Sequence, residues 1–279
     1  SIWIKKGADY IASSKAQLAF VSTNSICQGE QVNMIWPYLL GTTEIGFAYT
    51  SFKWQNSARD NAGVTVVVIS LRNVSKAEKV IVTGGIEYQA KNISPYLTDS
   101  QNIFFPRYTA SISGFPDLVR GSMPTDGGAF TLTEAEKNDL LASNPEAREL
   151  IKGYTSGGDF LASRVRWCLW IEDSQLQLAE SIPFVRGRLE RVRDFRLESD
   201  APTTVDYARY PNRFRQKAYK DTNFVILPLT SSERREYIPM DFLQKGIVAT
   251  NSAGVIYDAE PWLFALLQSK MHMAWIRTV

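Results

Sequence analysis

The residues best suited to chemistry in this chain are the arginines between Arg186 and Arg235. That segment carries twelve basic residues against seven acidic ones, a net charge of +5 in a protein of net charge +2. Ten of the twelve are arginines, whose planar guanidinium can hold a phosphate or a guanine edge through two parallel hydrogen bonds. Aromatic residues are interleaved with them, namely Phe195, Tyr207, Tyr210, Phe214 and Tyr219. This local charge predicts a polyanionic partner, although a solvated helix face is the simpler alternative.

Other chemistry is poorly represented. His272 is the only histidine, and it lies in an apolar pattern typical of a packed helix. Cys27 and Cys168 are too far apart in sequence for a C-x-x-C metal motif, so we expect both to be buried and expect no metal site. Neither a phosphate-binding loop of the G-x-x-x-x-G-K-[ST] type nor a dinucleotide fingerprint occurs. The sequence therefore predicts no catalytic residues within this chain.

Length and composition predict a folded protein of one large or two ordinary domains. The chain has 279 residues, of which 44% are hydrophobic and 22% charged. Its apolar runs are shorter than the ~18 to 20 residues that cross a bilayer, and its N-terminus lacks a secretory pattern, which favours a cytoplasmic location. The first residue is serine and the last residues fall within an apolar helical pattern, so we expect a part of a longer protein.

The first third of the chain predicts an α/β arrangement. Residues 17–22 are typical of a buried strand, and Ser25 with Gln28 predicts a capping box that begins a helix. Val32, Ile35, Trp36 and Leu39 share one face of that helix. Two strands joined by a long hairpin follow, and the second, residues 64–71, is apolar enough to lie inside a covered sheet.

The remainder predicts a mixed α+β region. Thr133 and Glu136 predict a capping box for a helix that presents Leu140, Leu141, Ala147, Leu150 and Ile151 inward and is ended by Gly153, Gly157 and Gly158. Residues 165–171 and 223–229 are expected to be strands, residues 189–197 a helix, and residues 230–237 a polar hairpin. A last helix from Pro261 is expected to pack inward through Trp262, Leu266, Leu267, Met271 and Trp275.

Several long strings resemble one protein family. They are A-F-V-S-T-N-S-I-C-Q-G-E-Q-V at residues 19–32, then F-K-W-Q-N-S-A with V-T-V-V-V-I-S within residues 52–70. In order after them come N-I-S-P-Y-L, G-S-M-P-T-D-G-G, R-W-C-L-W-I-E-D, V-R-D-F-R, Y-I-P-M-D-F-L and S-K-M-H-M-A-W-I-R. These strings resemble the MmeI family, in which a DNA adenine-N6 methyltransferase, a target recognition domain and often a nuclease are fused.

The resemblance implies a fold and a domain plan. The expected fold combines the last strands of a Rossmann-like methyltransferase sheet with a mixed α+β target recognition domain. The expected boundaries are 1–75 for the methyltransferase part, 76–93 for a connector, 94–262 for the recognition domain and 263–279 for the start of a C-terminal helical element. The family's N-P-P-[YF] motif and its S-adenosylmethionine loop would lie upstream. The resemblance thus implies a cofactor and a catalytic half in the rest of the polypeptide, and an inactive fragment here.

The resemblance also implies roles for particular residues. An aromatic residue before the last hairpin strand, Phe52 or Trp54, would stack on a flipped adenine. Recognition of double-stranded DNA requires phosphate contacts and base-edge contacts. The candidates for phosphate contact are Arg186, Arg188, Arg191, Arg193, Arg196 and Arg235. The candidates for base reading are Arg213, Arg215, Gln216, Lys217, Thr230, Ser232 and Arg234.

Two other classes of function remain open from the sequence. One is a separate module that binds RNA or single-stranded nucleic acid, and the other is a protein-interaction domain without a nucleic-acid partner. Salt dependence separates them, because binding through six or more phosphates weakens steeply as salt rises, whereas a neutral protein interface hardly responds.

Overall fold

The computed structural model describes residues 2–54, 63–108, 111, 113–164, 166–232 and 235–279. The chain forms two compact units, Ser1–Ile112 with Ala274–Val279, and Ser113–Met273. Each unit has its own hydrophobic core.

The first unit is built around one mixed sheet. Its elements are α1 (Ile2–Ile11), β1 (Leu18–Thr23), α2 (Glu30–Leu39), β2 (Thr43–Lys53), β3 (Thr65–Asn73), β4 (Lys79–Thr83) and β5 (Ile86–Ala90). The strand order is β1-β3-β2-β4-β5, in which β2 and β4 are parallel and the other neighbours antiparallel. The predicted strand pair is confirmed, and the apolar strand β3 lies between β1 and β2 as its composition required.

The apolar face predicted for α2 is also confirmed. Val32, Trp36 and Leu39 are each at most 1% exposed. Trp36 donates its indole N–H to the carbonyl of Ile26 at 2.7 Å, which satisfies the one polar atom of that buried ring. The packing of this face against the sheet forms the core of the first unit.

The predicted start of this helix is wrong. Ser25 lies in a short 3₁₀ turn, Asn24–Cys27, and α2 begins only at Glu30, after Gly29. Gly29 has a φ of +59°, a left-handed conformation that glycine adopts at little cost, so the chain changes direction there before the helix begins. A capping box needs a continuous helical turn after the serine, and this reversal removes it.

The second unit contains two four-stranded sheets with helices around them. Its elements begin with β6 (Val119–Arg120), β7 (Thr131–Leu132), α3 (Glu134–Ser143), β8 (Ile151–Thr155), α4 (Gly157–Leu161), β9 (Arg166–Leu169), α5 (Leu176–Ser181), α6 (Pro183–Leu197) and α7 (Pro202–Asp206). They continue with β10 (Phe224–Pro228), β11 (Asp241–Leu243), β12 (Ile247–Ala249), β13 (Ala253–Tyr257) and α8 (Pro261–Leu267). The sheets have the orders β11-β10-β13-β6 and β12-β8-β9-β7. The predicted α+β class of this region is confirmed.

The capping box of α3 is confirmed, but the expected end of its helix is wrong. Thr133 accepts a hydrogen bond from the Glu136 backbone N–H, and the Glu136 side chain accepts one from the Thr133 N–H. The helix ends at Ser143, and Gly153 lies inside β8 rather than after a helix. Gly157 begins α4, because Ser156 caps that helix through a second capping box with Asp159.

The C-terminal pattern folds differently from the prediction. The expected single helix is divided into α8 and α9 (Lys270–Thr278), so its helical spacing does not continue across the break. Trp262 and Met271 are 51% and 83% exposed, whereas Leu263 and Met273 are buried. The inward face was therefore assigned wrongly, because the break rotates the second half of the pattern relative to the first.

Candidate nucleic-acid interface

The stretch 213–217, which contains four of the predicted base-reading residues, is held by the turn-rich loop 121–128. Met123 and Gln216 exchange backbone hydrogen bonds of 2.9 and 3.1 Å, and Arg215 donates to the carbonyl of Pro124 at 3.4 Å. The buried Ser122 hydroxyl accepts from the backbone N–H groups that follow the stretch. At the other side of this loop, Gly121 packs against the connection between β12 and β13, where a Cβ would lie 2.3 Å from the Thr250 carbonyl oxygen.

Arg196 anchors the same region from below. Its side chain has 0% exposure and donates to the carbonyl oxygens of Pro124, Thr125, Tyr207, Tyr210 and Arg213 at distances from 2.7 to 3.4 Å. Burial lowers the pKa of this guanidinium, because charge is costly away from water. Its N–H groups are therefore used by the protein itself, and the prediction that Arg196 contacts a phosphate is wrong.

A helical pattern could have identified this burial. Val185, Leu189, Val192 and Arg196 follow the i, i+4, i+7, i+11 spacing of one helix face, and the first three are buried. An arginine that continues an apolar helix face is buried against the rest of the protein unless its long side chain reaches the surface.

Arg188 is also structural. It is 9% exposed, forms an ion pair with Glu136 and donates to the carbonyls of Ala129 and Thr131 at 3.2 and 3.3 Å. The prediction that it holds a phosphate is wrong for the same reason as for Arg196. The buried Arg188 side chain connects α6 to the capped start of α3.

The other three arginines of α6 are exposed. Arg186, Arg191 and Arg193 lie on the surface, and among the described residues no ion pair involves them. Arg186 and Arg193 are seven positions apart and so share one side of the helix, while Arg191 lies on another side. Their guanidinium groups are therefore available to an anionic partner.

Arg213 is half-buried and firmly held. Its Nε donates to Asp173 Oδ1 at 2.8 Å, its Nη2 donates to Asp173 Oδ2, and its guanidinium lies 4.3 Å from the centre of the Tyr210 ring. Hydrogen bonds from Arg213 and from Asn212 lower the pKa of Asp173 to about 2. The carboxylate is therefore charged at neutral pH and keeps the arginine in one orientation.

Lys217 is held in a similar way by Glu172, the residue before Asp173. Its ammonium donates to Glu172 at 2.7 Å, and Glu172 also accepts the indole N–H of Trp170 at 2.8 Å. Hydrogen bonding from Lys217 is the main cause of a lowered pKa for Glu172. Glu172 and Asp173 thus hold two cationic side chains that lie four residues apart.

Arg215 lies between these two cations. Its guanidinium stacks over Tyr207 at 5.0 Å, and the described part of the chain contains no carboxylate in an ion pair with it. The neighbouring Gln216 side chain is exposed. The structure adds ring contacts to three members of this stretch, since Lys217 Nζ lies 5.3 Å from the centre of the Trp170 ring, Arg213 contacts Tyr210 and Arg215 contacts Tyr207. The role of these residues in base reading stays a prediction.

The predicted polar hairpin lies in the connection between β10 and β11, which pair antiparallel. Thr230, Ser232 and Arg235 are exposed, and the backbone N–H of Arg235 donates to the carbonyl of Ser232 at 3.0 Å. Arg234, also predicted to read bases, lies outside the described residues.

The two stacking candidates belong to the first unit. Phe52 lies at the end of β2, half-buried, with its ring 4.9 Å from that of Tyr49 in an edge contact. Trp54 follows the strand, is 42% exposed, and its backbone N–H donates to Val64 at 2.8 Å. Both residues lie at the end of β2 that leads towards β3.

Groups suited to metal binding or nucleophilic chemistry are sparse in the described residues. No cluster of three or more histidine, cysteine or carboxylate side chains occurs among them. Cys27 and Cys168 are buried as predicted, and burial raises the pKa of each thiol. His272 Nδ1 lies 2.6 Å from the carbonyl of Leu267 and caps the local turn. Within the ranges that the structure describes, no helix is long and apolar enough to cross a membrane.

The acidic partners were missed by sequence reasoning. Glu172 and Asp173 follow strand β9 in the string W-I-E-D, about forty residues before the cations that they hold. Asn212, which is 3% exposed, was missed as well, although it donates to Asp173 at 2.9 Å. A polar pair directly after a buried strand was the available signal, since a strand end commonly places side chains at a site.

Two models of known protein domains match this chain. A family model of the MmeI DNA-methyltransferase domain matches residues 1–83, and one of the MmeI target recognition domain matches residues 99–279. The chain therefore belongs to the MmeI family, as a target recognition domain that follows part of a methyltransferase domain. The resemblance read from the sequence is confirmed, and with it the partial methyltransferase sheet.

Two known proteins are similar to this chain over nearly its whole length. DNA methyltransferase A of Bacillus subtilis (strain 168) is 37% identical over 282 residues, which cover 100% of this chain and 32% of the relative. The solved structure of the type IIL restriction-modification enzyme MmeI in complex with DNA matches with a TM-score of 0.80 and 36% identity, over 99% of this chain and 38% of that one. The chain thus spans about a third of the length of these relatives.

Proposed function

We propose that this chain reads a specific sequence in double-stranded DNA as the recognition part of a DNA adenine-N6 methyltransferase of a restriction-modification system. The observation that carries the proposal is the ordered stretch 213–217 in the region that matches the MmeI target recognition domain. The same region holds three exposed arginines of α6 that form no ion pair among the described residues. Phosphate contacts fix a protein on the duplex and base-edge contacts read the sequence, and the second unit offers side chains for both tasks.

We divide the candidate residues between phosphate contact and base reading by how exposed each side chain is and by whether contacts hold it in place. Arg186, Arg191, Arg193 and Arg235 hold phosphates, because exposed arginines suit a backbone that carries charge at every step. The base-reading set is Arg213, Arg215, Gln216, Lys217, Thr230, Ser232 and Arg234. Its first members are ordered before DNA arrives, which reduces the entropy lost on binding.

The methyl transfer itself belongs to the rest of the polypeptide in this proposal. S-adenosylmethionine and the catalytic N-P-P-[YF] motif would lie upstream, so the chain alone has no methyltransferase activity. The relation to MmeI and to DNA methyltransferase A supports this assignment. The proposed domain boundaries remain 1–75, 76–93, 94–262 and 263–279, and the proposed location is the cytoplasm, where the DNA substrate lies.

Phe52 or Trp54 is proposed to stack on the flipped adenine. The exposed indole of Trp54 is the more accessible of the two rings. With the longer protein that includes the upstream methyltransferase part, 2-aminopurine in place of the target adenine reports flipping by its fluorescence. Replacing the stacking residue with alanine should reduce methylation and change that signal, whereas replacing the other should not.

Salt dependence tests the DNA proposal directly. The chain should bind a pool of duplexes with a randomised central segment, enrich a defined sequence, and lose about 10²-fold or more in affinity between about 50 and 200 mM salt if Arg186, Arg191, Arg193 and Arg235 each hold one phosphate. Tighter binding to unpaired oligonucleotides would favour a single-strand module instead. Absence of any salt-dependent binding would favour a protein-interaction domain.

A further inference from the structure

Arg213 is restrained on three sides. Asp173 occupies the Nε and Nη2 edge of its guanidinium, Tyr210 covers one face at 4.3 Å, and its own backbone carbonyl accepts from the buried Arg196 at 2.7 Å. Arg196 also holds the carbonyl of Tyr210 at 2.8 Å, so the ring and the arginine share one anchor. No such set of restraints acts on the exposed arginines of α6 that the structure describes.

The carboxylate that holds Arg213 is itself fixed to the protein interior. Asn212 is 3% exposed and donates its amide to Asp173 Oδ1 at 2.9 Å and to the carbonyl of Ile171 at 3.4 Å. Asp173 is therefore held by a buried amide as well as by Arg213. It defines where the guanidinium must lie.

The edge that Asp173 leaves open matches a base. A guanidinium has five N–H donors in a planar fork, and Asp173 takes those on the Nε and Nη2 side. The end-on pair, one N–H from each Nη atom, remains directed away from the carboxylate. Two parallel donors of this kind match the O6 and N7 acceptors of guanine in the major groove.

We propose that Asp173 positions Arg213 for a bidentate contact with a guanine in the target sequence, an inference that rests on the proposed DNA-reading function. Asp173 touches no DNA in this arrangement; it is a positioning residue that acts through Arg213. Without it, Arg213 would keep its charge but lose its orientation, so base preference would suffer more than overall attraction to DNA.

The test compares base preference with general affinity. The full chain and its variants are incubated with the randomised duplex pool, bound duplexes are sequenced, and affinity is measured for an enriched and a non-enriched duplex at several salt concentrations. Arg213→Ala should reduce the preference for guanine at one position by about 5- to 150-fold. Asp173→Asn should reduce it at that same position by about 2- to 12-fold, because the freed side chain must be immobilised on binding.

Controls separate positioning from charge and from folding. Asp206→Asn removes a matched charge from an exposed, longer ion pair with Arg209 at 3.6 Å, and it should leave base preference unchanged. Asp173→Glu keeps a carboxylate and should retain part of the preference. Urea denaturation of each variant should give one cooperative transition, so that the binding measurements compare folded proteins.

The outcomes are distinguishable. If Asp173→Asn raises affinity for every duplex and steepens the salt slope by about one with preference intact, Asp173 competes with DNA and the inference is wrong. No change in preference would also overturn it, as would an equal loss on all sequences for Arg213→Ala. Absence of any enrichment by the unaltered chain would instead contradict the proposed function, before variants are compared.

Discussion

Replacement of Arg196 by methionine should destabilise the second unit strongly. The substitution keeps an unbranched side chain but removes five hydrogen bonds. The carbonyls of Thr125 and Arg213 lose the donor that they have in the structure, whereas those of Pro124, Tyr207 and Tyr210 each keep one backbone N–H donor. Each buried acceptor left unpaired costs about 1 to 3 kcal/mol. The methionine variant regains part of this free energy, because it has no guanidinium that must be removed from water on folding. Some of the carbonyls can also bond to water or to a donor that moves towards them. We therefore expect a net loss of about 3 to 5 kcal/mol.

Urea denaturation followed by tryptophan fluorescence measures this loss. With a urea dependence of about 1 to 3 kcal/mol per molar, the midpoint should fall by about 2 M. Arg193→Met is the matched control, because it makes the same change on an exposed position of the same helix and should alter stability by no more than about 0.5 kcal/mol. Equal midpoints for the two variants would refute the reasoning, since they would show that the carbonyl contacts of Arg196 add nothing that water cannot replace.

Three further predictions address phosphate contact, helix capping and titration. Arg191→Ala and Arg193→Ala should each weaken binding to all duplexes alike and reduce the salt slope by about one, and a change confined to one sequence would reassign the residue to base reading. Thr133→Ala should cost about 1 kcal/mol in urea denaturation by removing the cap of α3, and an unchanged midpoint would contradict the capping role. Asp173 should titrate near pH 2 in carboxyl-carbon NMR and return towards the ordinary aspartate range in Arg213→Ala. Because the folded pKa is the lower one, the stability from this pair is present above the unfolded pKa near 4 and is lost as pH falls towards about 2; titration at the ordinary value in the unaltered chain would argue against a lasting ion pair.

Local sequence signals predicted many elements of the fold. The apolar strand β3 and the α2 face of Val32, Trp36 and Leu39 followed from periodicity, and the cap at Thr133 followed from a pair of residues three apart. Each of these depends on neighbours within one or two turns, which a sequence displays directly. The errors at Ser25 and in the C-terminal helices arose where the backbone reverses or breaks, because such a change depends on what packs around it.

The site divides in the same way. Clustering of arginines predicted the polar surface of the second unit, and the family resemblance predicted its class, which the comparisons confirmed. The division of those arginines into structural and accessible ones was not predicted. Arg188 and Arg196 belong to the same basic helix as Arg191 and Arg193, and composition treats all four alike.

The sequence by itself determined the local charge, the helical and strand periods, and the family to which the chain belongs. Only the tertiary structure decided which guanidinium groups face water and which acids they meet. Asp173 and Arg213 are forty positions apart, and their contact exists because loop 121–128 and Arg196 hold the later stretch beside the end of β9. The orientation of a side chain depends on the atoms that packing brings next to it. The separation of two residues along the chain does not reveal how far apart they lie in the folded protein.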